Sequence, residues 1–148
     1  SEQLGFDIFN NEQGDCFHCH GLATTGYQLG AHGLLQFTNN GLDSIYAVGA
    51  GREAVTGDPS DRGKFKVPSL RNVEYSYPYM HDGRFQTLAE VLDFYEMGGH
   101  PSPTLDPNMK AVGVGRNWSV AQKQGLLDFL KTFSDPAFLT DTSFTDPW

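Results

Sequence analysis

Cys16-Phe17-His18-Cys19-His20 packs two thiols and an imidazole into one short run. Cys-x-x-Cys-His is the attachment signature of c-type haem. The two thiols add across the haem vinyl groups as thioethers, and the adjacent His20 sits under the iron as proximal ligand. Two intervening residues hold the sulfurs at the spacing of the vinyls, and the His fixes which haem face is ligated. Three other chemistries compete. Zinc needs about four Cys or His ligands; there is no second Cys pair, although His18, His32, His81 and His100 are available for recruitment. A thioredoxin-like redox pair needs a βαβ context, and no β-rich run precedes the motif. A disulfide across so short a loop would be strained. The motif favours haem over all three.

Helices are the elements expected to position it. Leu4, Ile8 and Phe9 recur at helical spacing and predict a short helix leading into the Cys pair. Residues 21–63 are rich in Gly, Asn and Asp and poor in periodicity, which predicts a long irregular excursion wrapped around a cofactor. Thr87 and Glu90 form a capping box. Leu88, Val91, Leu92 and Tyr95 then follow on one helical face, and Gly98-Gly99 ends it. Ser119 and Gln122 form a second capping box, followed by Leu126, Leu127, Leu130 and Phe133, with Pro136 beyond the end. The tail, residues 137–148, reads as an extended strap. The class is mainly α, a cytochrome c-like haem domain with long loops.

The 148 residues fit one domain, 1–148. Hydrophobic content is 39%, but 17 Gly and 8 Pro point to loops packed around something besides side chains. Both cysteines are used by the motif, which leaves none for a structural disulfide. No apolar run approaches the roughly 18 residues of a membrane helix. No leader segment is visible, so the expectation is a mature chain or a fragment. Haem c is attached outside the cytoplasm, so the expected compartment is the periplasm. Net charge is -8, to which haem propionates would add. Nucleic acid is excluded as a partner on that ground. A basic redox protein would be steered to this surface, although the plain reading of the charge is solubility.

A longer pattern carries a resemblance. Gly63-Lys64-Phe65-Lys66-Val67-Pro68-Ser69-Leu70-Arg71-Asn72-Val73 leads to Pro78-Tyr79-Met80-His81-Asp82-Gly83-Arg84-Phe85, then Thr87-Leu88-Ala89-Glu90-Val91-Leu92 and Tyr95. With the ending Ser134-Asp135-Pro136-Ala137-Phe138-Leu139-Thr140-Asp141, this resembles the C-terminal haem domain of bacterial di-haem cytochrome c peroxidases and their MauG-like relatives. That family has two haem motifs, and this sequence has one. The resemblance therefore implies the electron-transfer half, without the N-terminal peroxidatic domain. It implies as partners a second haem domain or chain and a small cytochrome c or cupredoxin donor. The alternatives are a self-sufficient haem peroxidase or oxidase-like enzyme, and a mono-haem carrier or sensor.

The resemblance also assigns residues. In the peroxidases the sixth iron ligand is a Met; in the MauG-like branch it is a Tyr. Counting from the Pro-Tyr-x-His-x-Gly element places Tyr95 at that position, with Met97 and Met80 as alternatives. On its own, Tyr95 reads equally as a core tyrosine with a hydrogen-bonded hydroxyl. A phenolate would stabilise ferric iron; a thioether would raise the potential. Arg71 and Lys66 resemble positions near the haem edge, where Arg suits a propionate bidentately. His81 and Asp82 resemble groups that support the site by hydrogen bonding, His32 would line the pocket, and His18 reads as exposed filler. The carbonyls of Ser76 and Pro78 sit where the family binds calcium, with waters completing the six to eight oxygens that the ion takes.

Overall fold

The computed structural model describes residues 1–21 and 36–144. Three longer helices frame it. α1 (Glu2–Phe9) has Glu2 in its first turn, where the helix dipole favours an anion. α4 (Leu88–Met97) and α5 (Val120–Lys131) start at the two expected capping boxes. Thr87 Oγ1 accepts from the Glu90 amide at 3.2 Å, and Glu90 Oε2 accepts from the Thr87 amide at 2.8 Å. α4 stops at Gly98, whose φ of 93° is left-handed backbone that a side chain would strain.

α1 and α5 approach so closely that a Cβ on Gly5 would lie 1.9 Å from the Gly125 carbonyl oxygen. Two glycines meeting at the crossing permit that approach. The buried side of α1 is consequently Gly5, Ile8 and Phe9, while Leu4, grouped with the apolar face by its spacing, is 40% exposed. Around the crossing lie Leu126, with no exposed surface, and Phe129, whose ring is edge-on to Phe9 at 5.3 Å. Leu70, Val73, Leu88, Leu92, Trp118 and Leu130 complete this core, with Cys16, Tyr79 and Tyr95 packed against it. On α4 the buried residues are Leu88, Leu92 and Phe94, whereas Val91 is half-buried. Phe133 lies past the end of α5 but still packs on the core.

The rest is turns and short pieces. α2 (Phe17–His20) carries the cysteine-histidine motif, and α3 (Glu53–Thr56) lies in the long excursion. Two two-residue strands, β1 (Phe37–Thr38) and β2 (Phe65–Lys66), pair antiparallel with Phe37 opposite Lys66 and Thr38 opposite Phe65. The class is mainly α with long loops, as expected. The described part of the excursion, residues 36–63, is held by a buried carboxylate: Glu53, 6% exposed, accepts from Arg62 Nε and Nη2 at 2.7 and 2.8 Å and from the Gly49 amide at 2.9 Å. Those hydrogen bonds, that from Arg62 foremost, hold its carboxyl below the usual range.

The tail departs from the expectation of an extended strap. It forms α6 (Pro136–Thr140) and a 3₁₀ turn at Thr142–Phe144. Asp135 Oδ1 caps α6 by accepting from the Ala137 and Phe138 amides at 3.0 and 3.1 Å, and Pro136 sits at the first helical position. His32 and the last four tail residues lie outside the described residues. Among the described residues no helix is long and apolar enough to cross a membrane.

Gly5→Ala forces a methyl group into the α1–α5 crossing. It is expected to lower the unfolding free energy by about 2–3 kcal/mol, the range for overpacking a filled core, as read by urea denaturation. A loss below about 0.5 kcal/mol, the range of neutral surface changes, would show that the helices do not cross this closely.

Candidate haem site

The motif is set by the turn before it. Gly14 lies against α1, where a Cβ would meet the Ile8 carbonyl oxygen at 2.2 Å. Asp15 follows in left-handed backbone, φ 58°, and is 6% exposed. Its carboxylate pairs with His18 Nδ1, with Lys110 Nζ at 3.5 Å and with Arg116 Nη2 at 3.8 Å. His18 is thus half-buried and hydrogen-bonded, not exposed filler. Trp118 Nε1 donates to the Gln13 carbonyl at 3.1 Å, which pins the turn from the far side.

Beyond that turn, α2 presents Cys16, Cys19 and His20 as a half-buried group. Both cysteines are free thiols. Burial pushes the Cys16 thiol up to about 12 and the Cys19 thiol up to about 11. Neutral thiols of this kind lack the low pKa of a redox-exchange pair. Among the described residues, the metal-competent cluster of Glu12, Asp15 and His18 includes neither cysteine, which weighs against zinc on the sulfurs. His20 is held neutral by burial, its pKa pushed down to about 4. Its Nδ1 is buried without a hydrogen-bond partner, and the Pro68 carbonyl beside the ring favours the protonated form. A neutral imidazole keeps a nitrogen lone pair for a metal, and a carbonyl beside the ring helps to orient it. An orphaned imidazole nitrogen beside two free, unactivated thiols fits haem c.

The candidate sixth ligands separate by position. Tyr95 is half-buried against the core, close to Cys16 and Cys19. Burial pushes its hydroxyl up to about 12, and Asn40 Nδ2 donates to it at 3.1 Å. Met80 is half-buried, with its sulfur 3.7 Å from the same Asn40 nitrogen. Met97 is 50% exposed and lines a groove with Asp93, Glu96 and His100. Tyr95 and Met80 are therefore brought together, and Met97 is not with them.

The loops facing the motif are fixed by polar groups. Asn39 has no exposed surface. Its Nδ2 donates to Ser102 Oγ at 3.1 Å and Thr104 Oγ1 at 2.9 Å; its Oδ1 accepts from the Gly41 amide at 2.9 Å and Tyr46 Oη at 3.1 Å. Arg84 clasps the Met80 turn to the same segment, with Nη1 and Nη2 on the Asp43 carboxylate at 3.0 and 2.9 Å, Nη1 on the Leu42 carbonyl at 3.3 Å and Nε on Asp82 at 2.8 Å.

Of the other sequence candidates, Arg71 is exposed, with its amide donating to Ser69 Oγ at 3.2 Å. Lys66 Nζ donates to the Val67 carbonyl at 3.1 Å. His81 is exposed and stacks on Phe65 at 3.9 Å. Ser76 and Pro78 are exposed. Sequence reading missed Asn39, Asn40, Asp15 and Arg116. The Arg116 side chain is 7% exposed and lies close enough to Cys16 and Tyr95 to favour their anionic forms. The Asn39-Asn40-Gly41 run was the one local signal, a turn dipeptide inside an aperiodic stretch.

Three findings place the chain among known proteins. No family model matches it. It is 32% identical to the cytochrome-c peroxidase IdrP1 of Pseudomonas sp. strain SCT, covering 90% of this chain and 40% of that protein. It is 34% identical to the methylamine utilization protein MauG of Methylorubrum extorquens, covering 92% of this chain and 35% of that protein. Its fold matches the crystal structure of a MauG-like protein associated with microbial copper homeostasis, with a TM-score of 0.81, 36% identity, and coverage of 99% of this chain and 50% of that one. The chain thus spans about two-fifths of the length of the curated relatives it matches.

Asn39→Leu keeps the branched side-chain shape but takes this partner from the buried Gly41 amide and from the half-buried Ser102, Thr104 and Tyr46 groups. The expected loss of stability is about 3 kcal/mol, the upper range for stranding buried polar groups. Thermal unfolding should show it with the α-helical signal intact below the transition.

Proposed function

The chain belongs to the cytochrome c peroxidase/MauG family, which implies a haem c cofactor, and we propose that it is the covalent haem c electron-transfer domain of such a protein, relaying electrons to a second haem for peroxide reduction. The observation that carries this reading is the clustering of the His20 ring with two free thiols on one turn of helix, with Cys16 packed against the apolar core. Cys16 and Cys19 would hold the group covalently, and His20 would supply a nitrogen to its iron. Bound there, haem supplies reversible one-electron transfer. Tyr95 is the proposed sixth ligand, oriented by α4 and by Asn40. Burial keeps this phenol protonated in the bare chain, and a metal cation at contact distance would favour the phenolate, with the proton released to solvent.

The protein's remaining work is to bury and orient. The core of α1, α4 and α5 backs the motif with apolar side chains and limits water on that side. Low solvent access and axial ligation are the levers that set a haem potential. Arg116, close to the motif, is a better-placed cation for a propionate than the exposed Arg71. The single domain spanning 1–148 corresponds to the C-terminal half of the family. Calcium at Ser76 and Pro78 would draw part of its coordination from a second domain. The expected compartment is the periplasm, with a small cytochrome c or cupredoxin as donor.

The purified chain should carry one haem that acid-acetone does not extract, seen as one haem of added mass under denaturing conditions. Peroxide turnover with a reduced cytochrome should be weak for the chain alone and rise strongly when a peroxidatic haem domain is supplied. Bare polypeptide mass would overturn the haem reading, and full turnover alone would make the chain a self-sufficient peroxidase.

Tyr95→Phe should open the iron to cyanide and raise the midpoint potential. Met97→Leu and Met80→Leu should leave the absorption spectrum nearly unchanged, and the native ferric form should lack a methionine charge-transfer band. A silent Tyr95→Phe with a high-spin product from either Met change would make the domain a His/Met carrier.

A further inference from the structure

We propose that Asn40 is a positioning residue that tunes the redox potential of this domain through a hydrogen bond donated to Tyr95 Oη, an inference that rests on the haem reading above. Asn40 Nδ2 lies 3.1 Å from Tyr95 Oη and 3.7 Å from Met80 Sδ, so one amide N–H group faces both half-buried ligand candidates. Of the two, the hydroxyl oxygen is the stronger acceptor and the closer one.

The amide is held in place by its neighbours. Asn39 is anchored by four hydrogen bonds through its side chain, and its carbonyl accepts from the Asp106 amide at 3.0 Å. On the other side, the Gly41 carbonyl accepts from the His100 amide at 2.7 Å. Gly41 has φ 71°, and a Cβ there would lie 2.6 Å from the His100 carbonyl oxygen. Backbone on both sides of Asn40 is therefore fixed to the 100–106 loop. From across the site, the Arg84 clasp ties the Met80 turn to Leu42 and Asp43. Met80 itself has φ 71°, a backbone that a flexible turn would not keep without such anchors.

The chemistry follows from where the donated proton points. A phenolate on iron shares its oxygen lone pairs between the metal and any donor. An N–H donated to that oxygen stabilises its negative charge and weakens its donation to ferric iron. Removing the donor strengthens the ferric state. Outer partners of metal ligands change affinity by 10–100-fold when removed. The same sensitivity predicts a roughly tenfold shift of the ferric/ferrous ratio toward ferric, about 59 mV for one electron.

The test uses the haem-loaded chain. Asn40→Leu removes the donor while keeping the branched side-chain shape. Asn40→Asp keeps the shape and turns an acceptor oxygen toward Tyr95, which covers the case where the Leu variant fails to fold. Both should lower the midpoint potential, and both should move the phenolate-to-ferric charge-transfer band to lower energy. In a Tyr95→Phe background the neutral Asn40→Leu change should leave the potential where that background sets it. Unchanged potential and spectrum in the Asn40 variants, with Tyr95→Phe itself altering the spectrum, would overturn the role of Asn40 and leave the ligand intact. An equal shift in both backgrounds would show that Asn40 acts on the potential without Tyr95 and would also overturn it. A spectrally silent Tyr95→Phe would overturn the ligand reading and this proposal together.

Discussion

The rest of the molecule depends on how closely α1 can lie against α5. The motif begins seven residues after the end of α1, so the direction of that helix decides where the two thiols and the imidazole point. Gly5 and Gly125 bring the two backbones into contact, and Ile8 and Phe9 then reach Leu126 and Phe129. Phe9 in turn stands 6.3 Å from the His20 ring. Apolar packing thus runs without a break from the helix crossing to the proposed ligand. This is why a chain with so much coil can still hold a rigid site.

The opposite wall is built on another principle. Residues 36–64 contain one two-residue strand, one four-residue helix and a three-residue 3₁₀ turn at Pro59–Asp61, too little regular structure to carry their own hydrogen bonds. Side chains do so instead. Asn39 uses both of its donors and accepts twice, Glu53 takes both forks of Arg62, and Arg84 spans two loops. Fully satisfied polar networks specify a single geometry, because any slip leaves a buried group unpaired. The site lies between a wall fixed by packing and a wall fixed by polar pairing.

That division also explains what could be read from the sequence. The capping boxes at Thr87 and Ser119 are local, with donor and acceptor three residues apart, and both helices start where the pattern put them. The Gly98 stop is equally local. The fold class and the family were legible because the Cys-x-x-Cys-His run and the 63–95 pattern are contiguous. Asn39 was not legible, since its partners Ser102 and Thr104 lie 63 and 65 residues away. His18 was misjudged because its burial comes from the left-handed turn at Asp15, which no periodicity reveals. The tail was misjudged for a different reason: Asp135-Pro136 is a helix start, but it opens only five residues of helix, too few for an apolar stripe to show.

Asn40 is followed by Gly41, and that pairing carries a liability of chemical ageing. In a loose chain the glycine amide nitrogen attacks the preceding carboxamide, ammonia leaves, and a ring intermediate opens to aspartate or isoaspartate. Here the Gly41 amide is already committed to Asn39 Oδ1 at 2.9 Å, and its backbone is tied to His100. The polar wall that shapes the site therefore also shields it from spontaneous deamidation. Molecules that have been unfolded and refolded would accumulate a carboxylate beside Tyr95 that molecules kept native would not.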